Sequence, residues 1–126
     1  SWSKPAKTNI PDATARAFAG NLPDRPAFII SNPSRVPSST HPSIGRRNPL
    51  TIALSDKGVL FDRAFVIRFA ETTMRFKGTN KVDGWQHPTA VVWKDHLYVA
   101  YSINKEDVAV TRIPLKYLQE KTRERQ

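Results

Sequence analysis

The feature that most restricts the fold of this chain is a series of short apolar segments separated by polar turns. Near the C-terminus the sequence runs TAVVW, the turn KDH, LYVAYS, the turn NKED and VAVTRIPL. Segments of this length between Gly, Pro, Asp and Asn residues are typical of antiparallel strands in a sandwich, a barrel or a propeller. The sequence therefore predicts an all-β fold.

The same pattern predicts strands in the first half of the chain, at residues 27–30, 50–55 and 61–69. Residues 31–49 hold four prolines and are expected to form a long loop. Residues 1–18 are expected to be irregular, whereas residues 115–126 have a helical pattern. The two halves repeat one order of strands and turns at a spacing of about 45 residues, which is typical of propeller blades.

Length and composition exclude several classes of protein. A chain of 126 residues fits one domain, and the lack of cysteine excludes disulfides and thiolate metal sites. The three histidines are widely spaced, so neither a metal nor another cofactor is expected. No apolar run has the length that crosses a bilayer, so no membrane partner is expected. A secreted or periplasmic parent with its signal removed would look the same, which leaves the compartment open.

The net charge of +9 and the pI near 10.3 raise the question of a polyanionic partner. The basic residues are scattered, however, and the pair Arg46 and Arg47 is the only adjacent arginine pair before the basic tail. A nucleic-acid-binding protein more often has a recognisable module or a basic stripe with aromatic residues. The charge therefore favours a solvated basic surface, makes nucleic acid an unlikely partner, and leaves binding of a polyanion as an alternative.

One turn carries a family resemblance. The segment LSDKGVLF resembles the Asp-box, a hairpin turn found in sialidases and other BNR-repeat propellers, through Asp56, Gly58 and Phe61. In this interpretation Asp56 accepts backbone N–H bonds, Gly58 adopts a positive φ, and Phe61 packs between strands. The order of segments from NPSR to VAVTRIPL also resembles the closing blades of a six-bladed sialidase-like propeller.

The resemblance implies a single partial propeller domain made of two four-stranded antiparallel blades. Residues 9–69 would form the penultimate blade, residues 82–115 the last blade, and residues 116–126 a basic tail. A whole propeller of this kind needs roughly three times this length. The open blade faces would then be covered by the remaining blades or by self-association, with a closed trimer as the best-formed assembly.

The resemblance also implies a binding site for an acidic sugar. Arg47 stands where sialidases carry the last arginine that binds the substrate carboxylate, and Arg16 is a second candidate for the same cavity. His87 stands at the position of the tyrosine nucleophile, where an imidazole can act as an acid or a base but is a poor nucleophile. Trp85 beside it could stack on a sugar ring. Each of these residues could instead have a purely structural role.

Three functions follow from these residues and stay open at this point. The first is the C-terminal portion of a sialidase-like glycoside hydrolase for an acidic sugar, inactive as this fragment. The second is a lectin-like propeller module that binds carbohydrate without catalysis. The third is a basic domain that binds a polyanion through charge alone. The turn residues Glu106 and Asp107 are expected to face solvent in all three.

Overall fold

The regular secondary structure of the chain consists almost entirely of antiparallel strands. A computed structural model of the chain describes residues 1–24 and 26–123. Its elements are β1 (Phe18–Asn21), β2 (Ala27–Ser31), β3 (Leu50–Ser55), β4 (Arg63–Arg68), β5 (Trp85–Trp93), β6 (His96–Ile103), β7 (Asp107–Pro114) and α1 (Leu115–Arg123). The prediction of an all-β fold is confirmed. The last three residues of the predicted basic tail lie outside the described residues.

The strands form two antiparallel sheets, each in simple sequence order. The first sheet has the order β1-β2-β3-β4 and the second has the order β5-β6-β7. The second sheet thus has three strands among the described residues, where four were expected. The segment between β4 and β5 does not supply the fourth strand, because it folds as a loop over the turn between β6 and β7.

The strand boundaries differ from the predicted ones at three places. β1 was not predicted, because it is only four residues long and includes Gly20, which lies against the Phe28 ring. β4 begins at Arg63 rather than at Phe61, because the backbone of Phe61 bonds to the side chain of Asn9 instead of the sheet. β5 begins at Trp85, four residues before the predicted start at Thr89.

The core lies where the two sheets and the helix meet. In the first sheet, one cross-strand row joins Phe18, Ile30, Ile52 and Phe65, and all four side chains belong to this core. The second sheet and the helix contribute the fully or largely buried side chains of Trp85, Leu97, Val99, Tyr101, Leu115 and Leu118. Alternation along β6 buries Tyr101 and turns Tyr98 to the opposite face, as the sequence predicts.

The loop before β3 joins the first sheet to the second. The Trp85 N–H donates to the Arg47 carbonyl at 2.8 Å, and Arg47 forms an isolated parallel bridge with Gly84. Next to this bridge, the Asn32 amide donates to the carbonyls of Pro49 and Trp85, at 2.9 Å each. Because Asn32 is fully buried, both of these bonds are shielded from water. The entry to β5 is therefore fixed by the segment that leads into β3.

The turn between β3 and β4 has part of the expected Asp-box geometry. Gly58 has a φ of 79°, which confirms the predicted positive φ. The Gly58 N–H, however, donates to the Ser55 hydroxyl at 2.9 Å, while Asp56 forms an ion pair with Arg63 at 2.7 Å. Phe61 is half-buried and lies outside the core. The predicted roles of Asp56 and Phe61 are therefore corrected, because Ser55 accepts the backbone bond and the core is filled without Phe61.

Glu106 was expected to face solvent, and the structure corrects this expectation. Its side chain is 3% exposed and accepts bonds from the Arg75 and Phe76 N–H groups and from the Lys81 ammonium group. The hydrogen bond from Lys81 is the main cause that lowers the pKa of Glu106 from 4.5 to about 2. Asp107 is exposed, as expected. Glu106 thus holds the loop between β4 and β5 against the turn that follows β6.

Replacing Gly84 with alanine is expected to destabilise the fold by about 3 kcal/mol or more. Gly84 has a φ of 117°, and a Cβ there would lie 2.4 Å from the Arg47 carbonyl oxygen. The matched control is Gly78→Ala, whose Cβ would meet only the flexible Lys81 side chain, at 3.2 Å. Urea unfolding of both variants measures the difference. Equal stability of the two variants would contradict the proposed importance of this contact.

Candidate functional site

Arg47 carries the most unusual side chain in the described part of the chain. Its Nε and Nη1 atoms are buried and have no hydrogen-bond partner, although the residue as a whole is half-buried rather than enclosed. Burial lowers the pKa of the guanidinium from its ordinary value, and the charge of Asp12 opposes this effect. An incompletely paired cation is costly to a fold. It also presents a strong field to an anion that reaches its exposed part.

The backbone around Arg47 fixes the position of this side chain. The carbonyl of Arg47 is bound by β5, and the preceding Arg46 N–H donates to the Val36 carbonyl at 2.8 Å. Gly45 lies against the Ala13 backbone, where an added Cβ would be 2.2 Å from the carbonyl oxygen. The N-terminal segment, the long loop and β5 therefore converge at this point. The site is built on three parts of the chain rather than on one mobile loop.

His87 lies at a bulge in β5, close to this arginine. The pairing of β5 with β6 shifts its register between Gln86 and Thr89, and His87 has a φ of 52°. A bulge turns a side chain out of the regular alternation of a strand. Pro88 fits within the bulge because it has no N–H to give to the ladder. The exposed imidazole is therefore presented near the start of the strand.

The charges around His87 are all positive. Partial burial is the main cause that lowers the pKa of the His87 imidazole, followed by the charges of Lys105, Arg47 and Arg16. Three of the candidate residues from the sequence, Arg16, Arg47 and His87, thus interact electrostatically. Lys105 was not predicted. It comes from the turn between β6 and β7, where it has a φ of 57° and donates to the Asn80 carbonyl at 2.9 Å.

Trp85 does not have the role that the sequence suggested. The indole is 4% exposed and packs edge-on against Tyr101, with the Arg68 guanidinium 4.2 Å from its ring centroid. Its Nε1–H donates to the Ala70 carbonyl at 3.0 Å. Because the ring is enclosed by the core, no face is free to stack on a sugar. The expected stacking role of Trp85 is therefore corrected to a structural one.

The arrangement is suited to binding an anion rather than to general acid–base catalysis by carboxylates. The acidic residue that acts on Arg47 is Asp12, an exposed residue of the N-terminal segment. Among the residues that the structure describes, no group of His, Asp or Glu side chains is placed to bind a metal ion. Within residues 1–24 and 26–123, no helix has the length and apolarity to cross a membrane.

Replacing Arg47 with methionine is expected to stabilise the fold by on the order of 1 kcal/mol, because it removes buried donors that have no partner. The control is Arg46→Met, which removes an exposed ion pair with Glu71 at 2.6 Å and should change stability by less than about 0.5 kcal/mol. Urea unfolding at neutral pH compares the two. A clear loss of stability in Arg47→Met would show that the fold needs this cation.

The chain was also compared with known proteins. No family model, no curated protein and no solved structure matches it. The functional assignment therefore rests on the residues and contacts described above.

Proposed function

We propose that this chain is a sialidase-like propeller unit that binds the carboxylate of an acidic sugar at Arg47. The observation that carries the proposal is the half-buried Arg47 guanidinium, which the protein leaves without hydrogen-bond partners at Nε and Nη1, among the charges of Arg16 and Lys105. A guanidinium suits a carboxylate because its bonds to the carboxylate oxygens are charge-assisted. Two antiparallel sheets in sequence order are also compatible with blades of such a propeller.

Hydrolysis by this chain is not part of the proposal. An imidazole stands at the position that the sialidase resemblance gives to a tyrosine nucleophile, and its pKa is lowered by partial burial and then by the surrounding positive charges. A neutral imidazole is a poor substitute for a phenol at an oxocarbenium-like centre. The proposal therefore favours a binding module over an active glycoside hydrolase.

Binding of a polyanion through charge alone is the second candidate. The observation that favours this candidate is that the positive charges of Arg16, Arg47 and Lys105 all act on the exposed His87. Such binding would weaken steeply as salt is raised and would not distinguish one sugar from another. An arginine that grips one carboxylate would instead discriminate between ligands that differ only in that group.

Methyl glucuronide is expected to bind at least about tenfold more tightly than methyl glucoside, because only the former carries a carboxylate. Isothermal titration at moderate salt measures both affinities. Arg47→Met should remove the preference, whereas Arg46→Met should keep it, since Arg46 is already paired with Glu71. Equal binding of the two sugars, or a preference that survives Arg47→Met, would refute carboxylate recognition at this residue.

The partner expected for the open sheet faces is a second copy of the chain. The outer face of the second sheet has a groove of about 500 Å³ that Val91, Trp93, Tyr98 and Val110 help to line. The row of the first sheet on the side away from the core consists of Ala19, Ile29, Ala53 and Ala64. This row of mostly small side chains and the apolar groove suit a head-to-tail contact between copies, and a closed ring satisfies every such contact.

The purified chain is expected to self-associate, with a trimer as the closed form. Light scattering after size exclusion measures the mass. Val110→Lys should shift the chain toward monomer, because it places a charge on a side chain that is 60% exposed at the proposed contact. Val59→Lys is the control, since Val59 is 57% exposed but lies in the turn after β3. A monodisperse wild-type monomer would refute the assembly.

A further inference from the structure

The bulge in β5 places an imidazole among permanent positive charges. The charged groups that act on the His87 imidazole come from three separate parts of the chain. Lys105 belongs to the turn between β6 and β7, Arg47 to the loop before β3, and Arg16 to the segment before β1. Asp12 is the acidic group that acts on Arg47. Without a ligand, these charges oppose a proton on His87.

An anion bound at Arg47 changes this balance. It places a negative charge among the same cations and offers His87 an oxygen acceptor for an imidazolium N–H. The imidazole is exposed, so that acceptor can approach it from solvent. His87 has a positive φ at the bulge. Its ring therefore points in a different direction from the one that a regular strand would give it.

We propose that His87 is the second contact for the anion held by Arg47, and that it takes up one proton when the anion binds. This inference rests on the proposed function of the site. The proton comes from solvent and adds to the free imidazole nitrogen, and no covalent bond forms to the ligand. His87 thereby becomes a specificity-determining residue, since the site accepts an anion together with a proton.

The direction of the pH dependence follows from linkage. Partial burial, followed by the surrounding cations, holds the pKa of the free imidazole below its ordinary value, and a bound anion raises that pKa. Affinity for the anion is therefore lowest at pH values above the pKa of the complex. It rises as the pH falls through that pKa and becomes constant below the pKa of the free site. A shift of one pKa unit corresponds to a tenfold change in affinity.

The test uses methyl glucuronide as the probe, because its carboxylate stays ionised throughout the pH range. Isothermal titration at pH 7.5, 6.5 and 5.5, in pairs of buffers with different ionisation enthalpies, gives the affinity and the number of protons taken up. We expect about tenfold tighter binding at pH 5.5 than at pH 7.5. Glu106 stays ionised throughout this range and keeps its bonds to the loop between β4 and β5, because its pKa is about 2.

The diagnostic variant is His87→Asn. Asparagine accepts the left-handed backbone conformation that His87 adopts, but it cannot take up a proton. It should keep carboxylate binding at pH 7.5 and lose both the proton uptake and the gain at low pH. His96→Gln is the control, because His96 lies at the end of the β5–β6 pair that is farther from His87. This variant should behave as the unchanged chain does.

An NMR titration of the histidine ring protons gives a second readout. The His87 signal, assigned by its loss in His87→Asn, should titrate at a higher pH with methyl glucuronide than without it. Binding that depends on Arg47 but is equal at all three pH values would refute the role of His87 and leave the proposed function standing. The same refutation follows if His87→Asn keeps the pH dependence. No binding at any pH would refute both.

Discussion

The contact between Gly84 and Arg47 is the constraint on which the rest of the structure depends. It is a backbone contact between the segment that enters β3 and the segment that enters β5, and it leaves no room for a side chain at Gly84. The peptide of Gly84 is held further by Asn104, whose side chain accepts the Gly84 N–H at 2.7 Å and whose N–H donates to the Gly84 carbonyl at 2.8 Å. These contacts fix the position of the second sheet relative to the first at one end of the fold.

The same contact positions the candidate site. Fixing the Arg47 carbonyl to β5 leaves its side chain beside the bulge at His87, while the turn that contains Asn104 also supplies Lys105. The charged residues are thus brought together by the contacts that join the sheets. The unpaired nitrogen atoms of Arg47 are a cost that this arrangement imposes on the folded state. Functional sites often carry such a cost, because the groups that bind a ligand are not satisfied by the protein itself.

The sequence was a good guide to strands with strong alternation and a weak guide to contacts between distant loops. The segments of β3, β6 and β7 were predicted nearly at their observed positions, since apolar side chains recur in them with a period of two. β1 escaped prediction because a short strand with a glycine has little such signal. Arg16, Arg47 and His87 were named as site residues from the resemblance to sialidases, and their role stays a prediction. Lys105 and Glu106 could not be assigned, because their surroundings come from segments far away in the sequence.

The buried amide of Asn32 has a consequence for the order in which the protein folds. Its two bonds reach carbonyls that are 17 and 53 residues away along the chain. Hairpins such as β3–β4 close short loops, whereas the longer of these two contacts closes a long one, and long loops close more slowly. A chain that has emerged from the ribosome only as far as β4 therefore has the strands of the first sheet but lacks the second anchor of Asn32. The residues around Arg47 are complete only when β5 and the turn that carries Lys105 have been added.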